Sequence, residues 1–275
     1  VTIVSLHRIN SWNESVLSMK NQSTEETASA FNRDGFVIVR NVFSETELVK
    51  IDDHLSRFVI EVAPTLPPGE VYFEDDAPDV LKSAFRLNEH DPFFAELRES
   101  HRIREIVSAI FDDPDIVSDG ITFFGKAAGS GSQTVAHQDN GFQVMVPPEG
   151  LTATIALDTS TTENGVLCCL RGSHKLGLLP HAQSGIPGFS RKIAEPLDRD
   201  AFPEVALCMQ PGDVAFHHID SVHYSGENRS ARSRRQLGIL CFSSRAKRDE
   251  KAFAAYKQGL NELHESKLKN SENKN

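Results

Sequence analysis

The chain has 275 residues, 25% of them charged and 39% hydrophobic, with a formal net charge of −10. That length fits one large domain, since single cores stop growing near ~250–300 residues. The acidic balance argues against nucleic acid as a partner, whose phosphates call for a basic face, and against docking on an anionic membrane.

Residues 1–24 read as a polar, weakly patterned arm without the apolar core of a signal peptide. No stretch reaches the ~18 apolar residues of a membrane span. Ser23 can cap a helix whose first turn holds Glu25 and Glu26, and Asp34-Gly35 ends it. The β-branched run at 36–39 predicts a short buried strand. Ser44 and Glu47 have capping-box spacing ahead of Leu48, Ile51, Leu55, Phe58 and Val59, which share one helical face. Residues 64–68 break that helix, and 70–78 read as an acidic turn region. Residues 92–111 predict a helix or a pair, with Leu97, Ile103, Ile106, Val107 and Ile110 as the core stripe.

From Ile116 onward the texture changes. Short β-prone runs recur at 121–124, 143–146, 151–157, 166–170, 205–209, 213–217 and 236–242, divided by turn signals such as Asn164-Gly165 and Pro211-Gly212. Helices first and many short strands afterwards predict a mainly β fold. Its core would be a double-stranded β-helix (jelly roll, cupin-like) buttressed by N-terminal helices. The domain would span 25–250, and 251–275 would be a C-terminal helix decaying into a frayed tail. Four cysteines, Cys168, Cys169, Cys208 and Cys241, show no CxxC spacing. They read as buried free thiols in a reducing cytoplasm.

The segment Val135-Ala136-His137-Gln138-Asp139-Asn140-Gly141 carries the chemistry. On a strand, residues i and i+2 face the same side, so His137 and Asp139 can aim an imidazole nitrogen and a carboxylate oxygen at one ion. A third ligand must come from elsewhere, and residues 216–223 offer His217, His218 and His223. Two histidines and one carboxylate on one face of an octahedron leave the opposite face open for a bidentate co-substrate and dioxygen on iron(II). Alone, His-x-Asp is weak in a chain with 11 histidines. A solvated turn with an Asp-satisfied His is the plainer explanation of the pair by itself. His217 and His218 are adjacent, so at most one can face such a metal, and both read as neighbours or surface residues. His174 and His181 flank a loop and read as non-ligands.

Over 34–242 the chain resembles the phytanoyl-CoA dioxygenase family of iron(II)/2-oxoglutarate oxygenases. The likeness rests on the opening strand Asp34-Gly35-Phe36-Val37-Ile38-Val39 and on His137-Gln138-Asp139. It also rests on Glu163-Asn164-Gly165 with Arg171-Gly172-Ser173-His174-Lys175, and on Pro211-Gly212-Asp213 through His223-Tyr224-Ser225-Gly226-Glu227-Asn228. The resemblance implies iron(II) held by His137, Asp139 and His223, with 2-oxoglutarate as co-substrate and O2 as oxidant. It makes Arg234 the clamp for the far carboxylate of 2-oxoglutarate, a role that suits a permanently charged planar fork. Arg232 and Arg235 compete for that role, Arg232 on the same strand face as Arg234. Ser225 adds a hydroxyl to the same carboxylate, and Lys126 sits where relatives place a co-substrate lysine; a surface strand-end lysine is its plain alternative. The chain departs from the family at Thr154 and Ile155, where a Trp is frequent, and at Arg171, where a Pro is usual. Asp139 favours hydroxylation over halogenation.

The resemblance therefore implies a hydroxylase acting on an unactivated C–H bond of a small polar metabolite, leaning towards a small zwitterion such as an aminoalkylphosphonate. Natural-product or acyl-CoA hydroxylation, a cupin-like enzyme without 2-oxoglutarate, and a non-catalytic metal-binding barrel are the alternatives. Asn140, Gln143 and Met145, and the stretch Lys82-Ser83-Ala84-Phe85-Arg86, are candidate pocket residues. Lys82 and Arg86, four apart, would bind an anionic group jointly if helical; a solvated helix face is the blander reading.

Overall fold

A computed structural model describes residues 23–258, apart from Pro68, Asp75, Asp76, Ser130, Pro187 and Gly188, together with the backbone of 16–18. Most of the expected arm at 1–24 and the tail beyond 258 lie outside the described residues.

Strand β1 (Val16–Ser18) pairs in parallel with β2 (Phe36–Arg40). Between them lies α1 (Thr24–Asp34), started by a capping box between Ser23 and Glu26 and ended at Gly35, whose φ of 83° suits glycine. Ser44 and Glu47 form the same box ahead of α2 (Glu45–Arg57), which continues into a π turn, Phe58–Val62. The expected acidic turn at 70–78 is instead a hairpin of β3 (Val71–Glu74) and β4 (Ala77–Ala84). Glu70 on its shoulder accepts from Arg86 and pairs with His90, so part of the acidity serves ion pairs. Lys82 consequently lies on a strand, and Arg86 has a left-handed φ of 57°, so the two share no helical face.

Three helices follow, α3 (Leu87–His90), α4 (Pro92–Arg98) and α5 (His101–Phe111). Then come β5 (Val117–Lys126) and β6 (Thr134–His137). The run 143–146 is not one strand; it divides into the end of the turn α6 (Asn140–Gln143) and the two-residue β7 (Met145–Val146). Strands β8 (Gly150–Ala156) and β9 (Leu167–Leu170) precede a hairpin, β10 (His181–Ile186) with β11 (Phe189–Ile193), that periodicity did not reveal. The remainder is β12 (Glu204–Ala206), β13 (Val214–His218), β14 (His223–Ser225), β15 (Arg234–Phe242) and β16 (Lys247–Arg248), then helix over 250–258. No helix among the described residues is long and apolar enough to cross a membrane.

One large sheet runs β1-β2-β13-β8-β15-β5-β4-β3, and a smaller one runs β12-β9-β14-β6. Apart from the β1–β2 edge, the pairings are antiparallel, and two facing sheets make the double-stranded β-helix core. Period-two alternation decides what each face does. On the helix side of the large sheet, Ile121, Phe123, Leu151, Ala153, Ile155, Phe216, Leu237 and Ile239 pack against Phe31, Leu55, Phe94 and Val107. The intervening residues face the small sheet. At one end they are apolar, with Phe36, Ile38 and Ala215 meeting Cys169, Leu207 and Met209. At the other end they are Thr122, Phe124, Thr152, Thr154, His217, Arg234 and Gln236, and the space they enclose stays open. Among the thiols, Cys168, Cys169 and Cys241 are buried, whereas Cys208 is exposed, contrary to expectation.

Candidate active site

The open space is a cavity of about 630 Å³ between the sheets. His137 ends β6 and His223 begins β14, and the two are register partners across neighbouring strands. Asp139 follows in the turn that leads into α6. Its Oδ1 lies 3.6 Å from His137 Nε2 and 3.5 Å from His223 Nε2. One donor atom from each of the three falls within 4.8 Å of the other two, a grouping able to hold a metal ion.

The tautomers suit that purpose. His137 Nδ1 lies 2.7 Å from Val135 O, and His223 Nδ1 lies 2.9 Å from Ser221 O. A carbonyl can only accept, so each Nδ1 carries a proton and each Nε2 is the nitrogen turned to the centre, the tautomer a metal ligand needs. Burial pushes the His223 imidazole well below its ordinary pKa, which keeps it neutral. Burial alone would raise the Asp139 carboxyl, but the surrounding imidazoles of His223, His137 and His217 outweigh it and hold the group well below the usual carboxylate range. Two imidazole Nε2 atoms and a carboxylate oxygen, converging on one point, fit a divalent cation.

Thr152, which the sequence did not single out, donates 2.6 Å to Asp139 Oδ2 and leaves Oδ1 to face the histidines. His217 Nε2 lies 3.3 Å from the same Oδ2, and neither of its ring nitrogens has hydrogen-bond geometry to any partner. His218 faces the other way, its Nδ1 accepting from Asp220 N, and burial lowers it to about 3. His174 bonds to Asn32 O on the far side, and His181 Nε2 accepts from Gln138 N at 3.3 Å.

Arg234 starts β15 opposite Lys126, the last residue of β5. Its guanidinium is buried in the cavity wall and donates to Gln236 Oε1, while its Nε has no partner. Burial lowers it to about 10, so it stays charged at neutral pH. Arg232 is exposed in the preceding turn, and Arg235 points outward into ion pairs with Asp158 and Asp52. Lys126 is buried rather than a surface residue, and its Nζ donates to Ser132 O. Burial lowers it to about 7, abetted by Arg234 and opposed by Glu74. A Cβ at Gly131 or Gly165 would come within 2.7 or 2.6 Å of the Lys126 side chain, so both positions need glycine. Ser225 is buried and lines the cavity.

The proposed pocket residues divide. Gln143 lines the cavity, but Asn140 turns its Oδ1 to Met145 N at 2.7 Å, and Met145 packs with Ile219 and Phe242. Neither Lys82 nor Arg86 lines the cavity. The wall at the Thr154 position is polar and open, while Ile155 belongs to the helix-side core. Arg171 lies 3.8 Å from Asp34 as a loop ion pair. Phe85, from the expected stretch 82–86, and three rings that pattern reasoning missed, Tyr72, Phe142 and Tyr256, supply much of the remaining wall.

Comparison with known proteins agrees with this geometry. The family model for phytanoyl-CoA dioxygenase matches residues 31–236. A phytanoyl-CoA dioxygenase of Arabidopsis thaliana is 33% identical over 58% of this chain and 56% of its own length, so the chain spans little more than half of that relative. A probable alpha-ketoglutarate-dependent hypophosphite dioxygenase of Stutzerimonas stutzeri is 26% identical over 74% of this chain and 73% of its own. The structure of EvdO2 from Micromonospora carbonacea var. aurantiaca, complexed with 2-oxoglutarate, superposes with a TM-score of 0.65 at 25% identity, covering 80% of this chain and 91% of that one.

Proposed function

Because the chain belongs to the phytanoyl-CoA dioxygenase family of iron(II)- and 2-oxoglutarate-dependent oxygenases, we propose that it hydroxylates an unactivated C–H bond of a small polar metabolite. In this reading His137, Asp139 and His223 hold the iron, and Arg234 clamps the far carboxylate of 2-oxoglutarate. The observation that carries it is the convergence of those three donor atoms beside a cavity whose wall holds a buried, charged guanidinium with a free Nε. When bound, ferrous iron with 2-oxoglutarate and dioxygen supplies the oxidising power, and the protein supplies placement and a dry pocket.

The side chains divide that labour. Thr152 fixes which Asp139 oxygen faces the metal. Ser225 offers a hydroxyl to the same cavity as Arg234, and Lys126 stands opposite Arg234 in the strand register, so the far carboxylate of the diacid is stabilised at that end chiefly by the guanidinium. Tyr72, Phe85, Phe124 and Phe142 present faces that suit an alkyl chain or an ammonium group.

A small zwitterion such as an aminoalkylphosphonate fits these walls, and the Stutzerimonas relative's name, a hypophosphite dioxygenase, supports a phosphorus oxyanion. A larger, natural-product-sized substrate is the second reading, favoured by a cavity of about 630 Å³, which is roomier than a five-carbon diacid and a small zwitterion need. Acyl-CoA hydroxylation, the relatives' namesake chemistry, stands behind both.

A succinate-release screen with iron(II), air and 2-oxoglutarate decides among them. Zwitterions, larger ring-bearing metabolites and acyl-CoAs form its three arms. Succinate formed in step with consumption of one arm supports that arm. Failure of the iron-loaded protein to bind 2-oxoglutarate contradicts the oxygenase reading itself.

A further inference from the structure

The turn α6, which follows Asp139, is gripped by two arginines. Arg191 on β11 donates to Gly141 O and lays its guanidinium 4.1 Å over the Tyr256 ring. Arg248 on β16 donates 3.2 Å to Gln143 Oε1 and sits 4.4 Å over the Phe253 ring. Its buried Nε has no partner. Both therefore rest on the helix over 250–258, which closes this side of the cavity. Tyr256 packs edge-on to Phe142, and Phe142 packs edge-on to His137.

Neither guanidinium forms an ion pair with a carboxylate among the described residues. The adjacent Asp249 is engaged as the helix cap, its Oδ1 accepting from Ala252 N at 3.0 Å. Burial lowers the pKa of Arg191, and only the Tyr256 hydroxyl opposes that. Uncompensated, partly desolvated cations are costly, and they raise the potential of the space they border. Stapling a turn needs hydrogen-bond donors but no charge, and the Tyr256 and Phe253 rings offset the two cations only in part, so net positive charge remains beside the cavity.

The cavity side of the same groups is donor-rich. Arg248 holds Gln143 by its Oε1, which leaves the amide Nε2 for the cavity that Gln143 lines. Ser190 and Tyr256, whose hydroxyls lie 3.0 Å apart, line it as well, and one of their two protons is free for a ligand. This end is not the Arg234 end. β15 begins at Arg234 and finishes at Phe242, which packs with Met145 just beyond α6.

We propose that this outer end binds an anionic group of the primary substrate, a carboxylate or phosphonate, through Gln143, Ser190 and Tyr256, with Arg191 and Arg248 supplying the compensating charge. The inference rests on the oxygenase reading only in taking the cavity as the substrate site. It narrows the substrate to a molecule with an anion at one end and the oxidised carbon at the other.

The test uses full-length protein loaded with iron(II) and 2-oxoglutarate under argon, titrated calorimetrically with two matched pairs. These are 2-aminoethylphosphonate against its diethyl ester, and β-alanine against its amide. At least one anion-bearing member is expected to bind while its partner, which keeps the ammonium but lacks the anion, does not. Arg191→Gln and Arg248→Gln are each expected to weaken that anion about thirtyfold, or ~2 kcal/mol at 1.4 kcal/mol per tenfold. Affinity for 2-oxoglutarate should stay at the wild-type level, and Arg248→Lys should recover part of the loss. Equal binding of the members with and without the anionic group, unchanged affinity in both variants, or no anion bound at millimolar concentration overturns the proposal. Failure of the wild-type protein to take up 2-oxoglutarate strikes the oxygenase reading instead, so the two failures are told apart.

Discussion

Replacing Arg234 by Gln probes the co-substrate end of the cavity. The guanidinium is buried and stays charged, because its pKa falls only to about 10, and its Nε has no protein partner. A carboxylate seated there forms a desolvated, hydrogen-bonded charge pair, and truncating one side of such a pair costs ~2–5 kcal/mol. At 1.4 kcal/mol per tenfold, that is about thirtyfold to several thousandfold in affinity. Lys126 stands opposite on β5 and retains some attraction, and chelation by the metal is untouched, so the loss should sit near the low end, about a hundredfold. The assay is an anaerobic titration of iron(II)-loaded protein with 2-oxoglutarate, followed by the visible charge-transfer band of the complex. Affinity within about twofold of wild type would refute the reasoning. So would an equal loss in Arg232→Gln, since Arg232 is exposed outside the cavity.

Asp139→Ala should abolish succinate formation while the thermal transition stays near wild type, because the side chain serves the centre and not the core; unchanged turnover removes Asp139 from the site. Thr152→Val, nearly isosteric, frees Asp139 Oδ2 and should weaken iron(II) binding about tenfold to a hundredfold, as loss of groups that orient ligands does elsewhere. Equilibrium dialysis reads it, and wild-type affinity would count against the orienting role. Lys126 titrates at about 7 in the fold and at 10.5 in the free side chain, so between those values unfolding takes up a proton. Stability of the ligand-free protein should therefore rise with pH across that window, and Lys126→Met should flatten the rise in urea titrations at several pH values. An identical slope in the variant would place the proton elsewhere.

Much of the fold is local and therefore legible. Ser23 with Glu26 and Ser44 with Glu47 announce their helices within four residues, and Gly35 marks an end. The strands whose alternation is strong, such as 151–157 and 236–242, emerge within a residue or two of their observed bounds. What escaped is set by distant partners. The β3–β4 hairpin hides in a proline-containing acidic stretch, because an edge strand needs little apolar pattern of its own. β10 and β11 are short and polar, and they form only because each pairs with the other.

The site follows the same division. The spacing of His137 and Asp139 is a weak signal alone, and Asp139 lies in the turn after β6 instead of on the strand. The family resemblance singles the pair out, and the register of β6 with β14 brings His223 to them. Thr152 is invisible as a site residue, and His217 reads only as a neighbour or a surface residue, although one signal exists. Thr152, Thr154 and Gln236 are polar positions alternating with Leu151, Ala153, Ile155 and Leu237 in strands that are otherwise core. Polar residues at the inward period of a buried strand mark a lined cavity. Arg191, Arg248 and Tyr256 gave no such signal, because three separate elements meet only at the turn α6.

The most direct test of the account is anomalous diffraction at the iron edge from crystals grown with ferrous iron and 2-oxoglutarate under argon. One strong peak should lie within bonding distance of His137 Nε2, His223 Nε2 and Asp139 Oδ1, with diacid density running from it to Arg234. A peak bound elsewhere, or diacid density that never reaches Arg234, would contradict it.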